Sequence, residues 1–502
     1  MKRVLFLASL LAIIACGKDP GTQPGGNDEP NDPIVPDPPV EETAVCIDAP
    51  LFIETPPSPA ISISGNENGW FRITDADGNT VDEILIGDSS TIRMQDGYPV
   101  PSATMHENTL RNTFHNPLAC GGSRVRTVHY RPFRVLENGI EVYPHCGVLD
   151  FGKVYTLSTS PGILLGSDDA FTMTFETKAK PTSTTQFTVS PDGKGDFCTI
   201  QGAINYACKT AGKNAAVTID IAPGTYPEML FLRDKNNLTL RGTGSSRDET
   251  VIQYVNCEKY ATGTGASADL VPLGTAIGAK SGRCLFLVEN CDNLMLENLT
   301  IRNDVGQNDG QAETIYFNSG SNAHKLIIEN CELWSWQDTF LTKGVVWVHK
   351  SLIAGHCDYI WGYPKACLFE DCEIRSRANG YIVQARVQNA GDKGFVFLNC
   401  SLTTEDGVQS GKLYLGRSGG DNSKYDNVTY INCTAPKAIS NGNNAWYTPP
   451  VPNPSTPTLT SGWKAYNMKT ENGGMLSFSG YCMNLNASQA TAYSSREAVL
   501  GY

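Results

Sequence analysis

The sequence is poor in charge, and poorest in positive charge. Lys, Arg, Asp and Glu make up 18% of its 502 residues. That is too little for a coiled coil or a largely disordered polar chain. With 39 basic against 52 acidic residues the net charge is −13. Nucleic acid and an anionic membrane surface are therefore excluded as main partners, and a polyanionic substrate needs a local basic or polar groove. No segment reaches about 18 consecutive apolar residues, so no membrane-spanning helix is expected. Among the cysteines no C-x-x-C pair occurs, which removes the usual signature of structural zinc. What the chain has in quantity is 48 Gly and 29 Pro, the mark of turn-rich β structure. Its length predicts about three domains.

Met1-Lys2-Arg3 is a short basic start, and Val4 to Ala15 is an apolar run long enough for a signal-peptide core and too short for a bilayer. Ile13-Ile14-Ala15-Cys16 resembles the lipobox of bacterial lipoproteins. The resemblance implies that residues 1–16 are signal peptide and lipobox and that Cys16 is lipidated. It implies an outer-membrane lipoprotein, facing periplasm or cell surface and touching the membrane through that lipid alone. Residues 17–44 are rich in Pro, Gly and acidic side chains and read as an extended linker, partly polyproline II.

Residues 45–180 read as short strands. Asp77-Gly78 and Asn138-Gly139 are hairpin turn pairs, and Phe171 to Thr177 alternates cleanly. The segment resembles the immunoglobulin-like modules of bacterial surface proteins, which implies a β-sandwich, here a spacer without catalytic residues.

From 186 to 502 a phrase recurs: apolar strand, Asn or Asp, then Cys. It ends at Cys291, Cys331, Cys372, Cys400 and Cys433, at uneven spacings of about 28 to 41 residues. Such spacing suits a parallel β-helix with loops inserted on one side. Each Cys is expected to be buried, unpaired and stacked on its neighbour, with the Asn or Asp at a corner. Replacing one by Ser is then expected to bury a hydroxyl without an assured partner. Of 16 cysteines, Cys16 apart, an odd number remains, and most are expected to be free.

Asp338 and Asp358 lie 20 residues apart, about one coil, and so do Gln311 and Gln337, roughly. Equivalent positions on successive coils sit about 4.8 Å apart, so two carboxylates and two amides converge on one patch. Close carboxylates split their proton affinities, and an arginine beside one of them holds that one as the anion.

The motifs carry a resemblance. Phe187 to Phe197, Gly224-Thr225-Tyr226-Pro227-Glu228, Gln337-Asp338-Thr339-Phe340, Asp358-Tyr359-Ile360-Trp361-Gly362 and Leu415-Gly416-Arg417 resemble, in this order, the blocks of pectin methylesterases. The resemblance covers roughly residues 186 to 480. It implies hydrolysis of methyl esters of polygalacturonate, with methyl-esterified homogalacturonan as partner and methanol as product. Neither metal nor organic cofactor is implied, and a monomer is expected. Asp358 matches the nucleophile, and Asp338 the general acid and then base. Gln337 matches the oxyanion-stabilising amide, Gln311 its helper, and Arg417 the residue orienting the nucleophile. Gln384 and Arg386 resemble a further block and are expected to line the groove with Tyr359 and Trp361, which replace two phenylalanines.

There are departures. Gln311-Ala312-Glu313-Thr314-Ile315 stands where the family has Gln-Ala-Val-Ala-Leu, and Ser418-Gly419-Gly420 follows Arg417 in place of Pro-Trp. Trp334, Trp336, Trp361 and Trp463 are candidates to restore an aromatic platform. Two alternatives stay open: a polysaccharide-binding lipoprotein that has lost turnover, supported by the missing Pro-Trp, and a lyase of the same fold. The motifs of the lyases and polygalacturonases are absent.

Overall fold

The structure is a computed structural model and describes residues 44–54, 68–86, 93–95, 98–100, 111–116, 124–164, 168–261, 263–264, 282–439 and 442–502. The expected signal peptide, the lipidation site Cys16 and all but the last residue of the expected linker lie outside them. No helix among the described residues is long and apolar enough to cross a membrane.

From Gln186 onward, 23 strands form one parallel system in which each strand pairs mainly with the third one after it. Three strands therefore make a coil, and the coils stack into a parallel β-helix. The alternating sequences Val217–Ile221 and Leu238–Gly242 bury every second residue, because successive strand side chains point to opposite faces. The inward row Leu230, Phe286, Ile315, Phe340, Ile360, Val383, Gly416 stays in register through seven coils. Inside, Phe369, Phe397 and Tyr430 stack face to face, with centroids 4.8 and 4.5 Å apart.

One helix, Ile200–Thr210, closes the first coil with Ile200, Ala203, Ile204, Ala207 and Cys208 turned inward. Its start is held by two carboxylates. Asp48 accepts from the Cys198 and Thr199 amides at 3.0 and 2.8 Å, and Glu228 accepts from Ile200 and Gln201 at 2.9 and 3.0 Å. These are the donors that a helix N-terminus leaves open. At the other end Arg496–Leu500 and neighbouring turns cover Ala366, Leu368, Val396 and Leu398 on an outer face.

Ahead of the β-helix, two antiparallel sheets enclose a second core containing Leu51, Ile53, Phe71, Ile73, Ile140 and Leu157. Both expected hairpins form: Trp70–Asp75 pairs with Thr80–Leu85, and Phe133–Val135 with Gly139–Val142. A further hairpin, Arg111–Asn116 with Arg124–His129, goes beyond what a spacer needs. Its Phe114 and Val128 belong to the β-helix core, and Arg126 is fully buried there. The Arg126 guanidinium donates to the carbonyls of Leu230, Leu285, Gly282 and Cys284 at 2.6–3.1 Å.

The Asn-Cys corners are left-handed turns, with φ of 51° at Asn330, 53° at Asp371, 57° at Asn399 and 54° at Asn432. Asn and Asp tolerate this conformation best after Gly. All five repeat cysteines are buried, and Cys331, Cys372, Cys400 and Cys433 are free thiols. Their stack differs from the expected one in two respects. The strand register stacks Cys331, Ser351, Cys372, Cys400, Cys433 and Met468, whereas Cys291 follows a different strand of the coil and stacks on Lys235. The same strand-Asn-Cys phrase serves two corners of the triangle, and sequence does not separate them. The thiols also have acceptors: Cys372 Sγ lies 3.3 Å from the Val348 carbonyl and 3.2 Å from that of Glu370. Ser351, on the rung between Cys331 and Cys372, donates to the His349 carbonyl at 2.8 Å. A hydroxyl thus already has its partner in this column, which corrects the expected penalty. Cys372→Ser should cost less than about 1 kcal/mol, and Cys372→Ala somewhat more through the void it leaves. Urea unfolding of the full chain checks this, and a larger loss for Ser than for Ala would contradict it.

Candidate active site

The candidate residues Gln311, Gln337, Asp338 and Asp358 stand at one corner of three successive coils. Gln311 bridges Gln337, and Gln337 bridges Cys357, all in parallel register. Asp338 and Asp358 follow the last two of these and occupy equivalent positions, the Asp338 amide donating to the Cys357 carbonyl at 3.0 Å. Both aspartates have left-handed backbones, with φ of 66° and 47°. Past the corner the next coils add Gln384 and Arg417, which share a register row with Trp361. Asp338, Asp358, Gln311, Gln337, Gln384 and Arg417 are thereby brought together.

Asp358 is 4% exposed, and Oδ2 carries most of its hydrogen bonds while Oδ1 accepts one. Arg417 Nε donates to Oδ1 at 2.8 Å and to Oδ2 at 3.0 Å, Arg417 Nη2 also donates to Oδ2, and Gln384 Nε2 donates to Oδ2 at 2.9 Å. The pairing raises the already high proton affinity of the Arg417 guanidinium. Arg386 fixes Gln384 in turn, donating to its Oε1 at 2.9 Å from Nε and 2.5 Å from Nη2. That leaves the Gln384 amide with its donor end on Asp358.

Asp338 is 3% exposed and stands in a different field. Gln311 Nε2 donates to its Oδ2 at 2.8 Å, and Arg283 Nη2 donates to the same oxygen at 3.1 Å. Burial pushes the Asp338 carboxyl well above the ordinary carboxylate range; Glu313 adds to this, Arg283 opposes it, and Asp358 adds again. Two equivalent carboxyls thus differ in what surrounds them, one forked by an arginine and one biased toward its proton. Cys357 beside them is pushed up to about 12, chiefly by burial, and stays a neutral thiol.

Arg283 and Glu313 are the residues that sequence reasoning missed. Glu313 is fully buried, and Arg283 meets it in a fork, Nε to its two oxygens at 3.1 and 3.0 Å and Nη2 to Oε1 at 2.9 Å. The signal was present: a Glu in place of the Val of Gln-Ala-Val-Ala-Leu must face a buried position, and a buried Glu requires a cation about one coil away.

The expected groove aromatics divide. Tyr359 is a correction: it is fully buried in the β-helix, its hydroxyl 2.9 Å from Ser376 Oγ, and has no surface in the groove. The left-handed turn at Asp358 breaks the strand alternation that would place it beside Trp361. Trp361 is 6% exposed and lies on the outer row, its ring 5.1 Å from the Arg386 guanidinium and 5.9 Å from that of Arg283. Trp463 is in the core, stacked on Trp446 at 4.6 Å. Trp334 and Trp336 are half-buried, the latter under Arg377 at 3.8 Å. The aromatic surface beside Arg417 comes from tyrosines that were not among the expected groove residues. Arg417 lies 4.7 Å over Tyr381, and Tyr381, Tyr414 and Tyr447 contact one another at 4.8–5.6 Å. At Gly419, two residues past Arg417, a Cβ would lie 3.4 Å from Arg386 Nε. A side chain at this position, where the missing Trp would stand, would start in ordinary van der Waals contact with Arg386 and Gln384.

Comparison with known proteins identifies the family of the β-helix. The family model described as Pectinesterase matches residues 186–501. Pectinesterase 31 of Arabidopsis thaliana is 30% identical over 234 residues, covering 46% of this chain and 68% of that protein. Probable pectinesterase A of Aspergillus flavus is 28% identical over 226 residues, covering 44% of this chain and 63% of its own length. The chain thus spans about two thirds of the length of these two relatives. Among solved structures, the pectin methylesterase from carrot superposes with a TM-score of 0.51 at 16% identity, and that from Aspergillus niger with 0.50 at 22%. Each alignment covers 64% of this chain and 95% of the other, and the likeness is one of fold. The family match spans the β-helix from its first strand to its end, and the chain belongs to the pectinesterase family.

Proposed function

We propose that the chain hydrolyses methyl esters of polygalacturonate, releasing methanol, with Asp358 as nucleophile and Asp338 as general acid and base. The observation that carries this reading is the contrast between the two carboxyls: equivalent positions on adjacent coils, one gripped by Arg417, the other biased toward its proton. An Asp358 oxygen attacks the ester carbonyl, and the charge that builds on the carbonyl oxygen is met by the amide of Gln337, with Gln311 beside it. As the C–O bond to methoxide breaks, Asp338 gives its proton to the departing oxygen, leaving an anhydride between Asp358 and the sugar carboxyl. Asp338, now a base, takes a proton from water as its oxygen attacks that anhydride. Asp358 is released as carboxylate and the site returns to its starting state. All charge changes stay within the side chains already present.

Arg386 and the tyrosines beside Arg417 support a carbohydrate groove: the cation suits free carboxylates of neighbouring galacturonates, and aromatic rings suit pyranose faces. The N-terminal reading stays part of this proposal. Val4 to Ala15 and the residues ending at Cys16 support a lipid-anchored outer-membrane protein, expected to be monomeric.

The deciding experiment is methanol release from highly esterified pectin, with and without a chelator. Release insensitive to chelator is expected. Pectin binding without methanol points to a binding protein, and a chelator-sensitive unsaturated product to a lyase. Gln337→Ala should lower turnover about 10²–10³-fold, the usual effect of losing one oxyanion donor, with substrate binding little changed. A loss confined to KM would remove Gln337 from that role.

A further inference from the structure

We propose that Arg283, clamped by Glu313 and Glu258, is a positioning residue of this site: it fixes the Gln311 amide with its donor end on Asp338 and shares its charge between Asp338 and Glu313. This rests on the ester-hydrolysis reading and extends it to two residues outside the motif blocks.

The geometry is specific. Arg283 Nη1 donates to Gln311 Oε1 at 2.7 Å and to Glu258 at 2.8 Å, and Nη2 donates to Glu313 and Asp338 at 2.9 and 3.1 Å. An amide whose oxygen is taken by a guanidinium can offer only its N–H₂ on the other side, and Gln311 Nε2 meets Asp338 at 2.8 Å. Arg283 is 6% exposed and Glu313 0%, so neither charge is tolerable alone. Glu313 arises where the chain accommodates an extra residue. The bridge Gln311↔Gln337 spans 26 residues and the pair Ile315↔Phe340 spans 25, so the coil of Gln311 carries one residue more beside Asp338. The bend bearing Arg283, just ahead of the strand Phe286–Glu289, is itself held, because Arg126 donates to the carbonyls on either side of it, Gly282 and Cys284.

The charged groups facing Asp338 are Glu313, Arg283 and Asp358, with Glu258 behind Arg283, Arg417 behind Asp358, and the Cys357 thiol beside it. Glu313→Gln leaves Arg283 with one anion fewer. Its charge then falls more fully on Asp338, which should lose its proton at lower pH. The neutral pair Arg283→Gln with Glu313→Gln removes both influences, and that titration should then lie nearer the wild-type position than in Glu313→Gln alone, and not above it. It should not restore turnover, because nothing then orients Gln311. Arg283→Lys keeps the charge without the fork and should hold the titration near wild type while lowering kcat.

The test uses the full chain and two readouts: the pH profile of kcat for methanol release, and the Asp338 carboxyl titration by infrared difference against Asp338→Asn. Glu313→Gln should move both to lower pH by about one unit, the effect of one neighbouring charge. kcat in the double variant and in Arg283→Lys should fall about tenfold or more with KM within a factor of about three, as for a lost orienting contact. An unmoved midpoint in Glu313→Gln, or wild-type kcat in the double variant, overturns the proposal. If wild type releases no methanol, the esterase reading fails by itself, and the infrared midpoints still decide the coupling of Arg283 and Glu313 to Asp338.

Discussion

Asp358→Ala should abolish methanol release, with a fall of about 10⁴-fold or more toward the uncatalysed rate, as when a hydrolase loses its nucleophile. The reason is positional. Among the described residues Asp338 is the neighbouring carboxyl, and it is biased toward its protonated form, which cannot attack a carbonyl. The Cys357 thiol, with its proton affinity pushed up to about 12, is no substitute nucleophile. Asp358→Asn should lose nearly as much while keeping the shape, since an amide accepts from Gln384 and Arg417 but attacks poorly. Arg417 is partly exposed, with 29% of its side chain accessible, so water can take up its freed donors and the fold should survive. Single-turnover methanol release with purified variants measures the effect, with pectin binding followed in parallel. Near wild-type release by Asp358→Ala would remove the reaction from this corner altogether.

What was legible in the sequence follows from what repeats. The β-helix could be read because its corners demand Asn or Asp at positive φ, and those residues recur before Cys331, Cys372, Cys400 and Cys433. The Asp pair could be read because one coil is about 20 residues here, so a sequence interval translates directly into a neighbour. The failures share a cause, which is that sequence intervals hide side-chain direction and partners on other coils. Cys291 carries the right phrase at another corner. Tyr359 stands one residue from Ile360, yet both point inward because the turn at Asp358 interrupts the two-residue alternation. Glu313 signals that a cation is needed, but nothing singles out Arg283 as that cation, because its partners Gln311, Glu313 and Asp338 lie 28, 30 and 55 residues later and Arg283 belongs to none of the motif blocks. The strand Arg124–His129 fell within a stretch that reads as a separate module, and only its contacts reveal that Val128 joins the β-helix core.

Asp338→Asn should lower turnover by about 10²–10⁴-fold, the usual share of a general acid–base. Methoxide leaves poorly without a proton, and the anhydride then waits for unassisted water, so a burst of acylation ahead of a slow steady state is the pattern to look for. The pH dependence has a definite sign. Burial and Glu313 raise the Asp338 carboxyl above its ordinary value, against the pull of Arg283. The acid form that protonates the departing methoxide is therefore present at low pH and lost as pH rises through the folded-state value. Wild-type kcat should fall on the alkaline side with the loss of one proton, and the residual rate of Asp338→Asn should lack that limb. Stability runs the same way. A carboxyl whose folded value is raised stabilises the fold fully below the unfolded value of about 3.9, and that contribution fades as pH climbs. Asp338→Asn should therefore unfold at a higher temperature than wild type at alkaline pH and show little advantage at pH 4. Scanning calorimetry at the two pH values separates the outcomes. A variant that is less stable than wild type at both would mean that Asp338 is held as an anion by Arg283 and Gln311. The acid would then have to be sought elsewhere in the site.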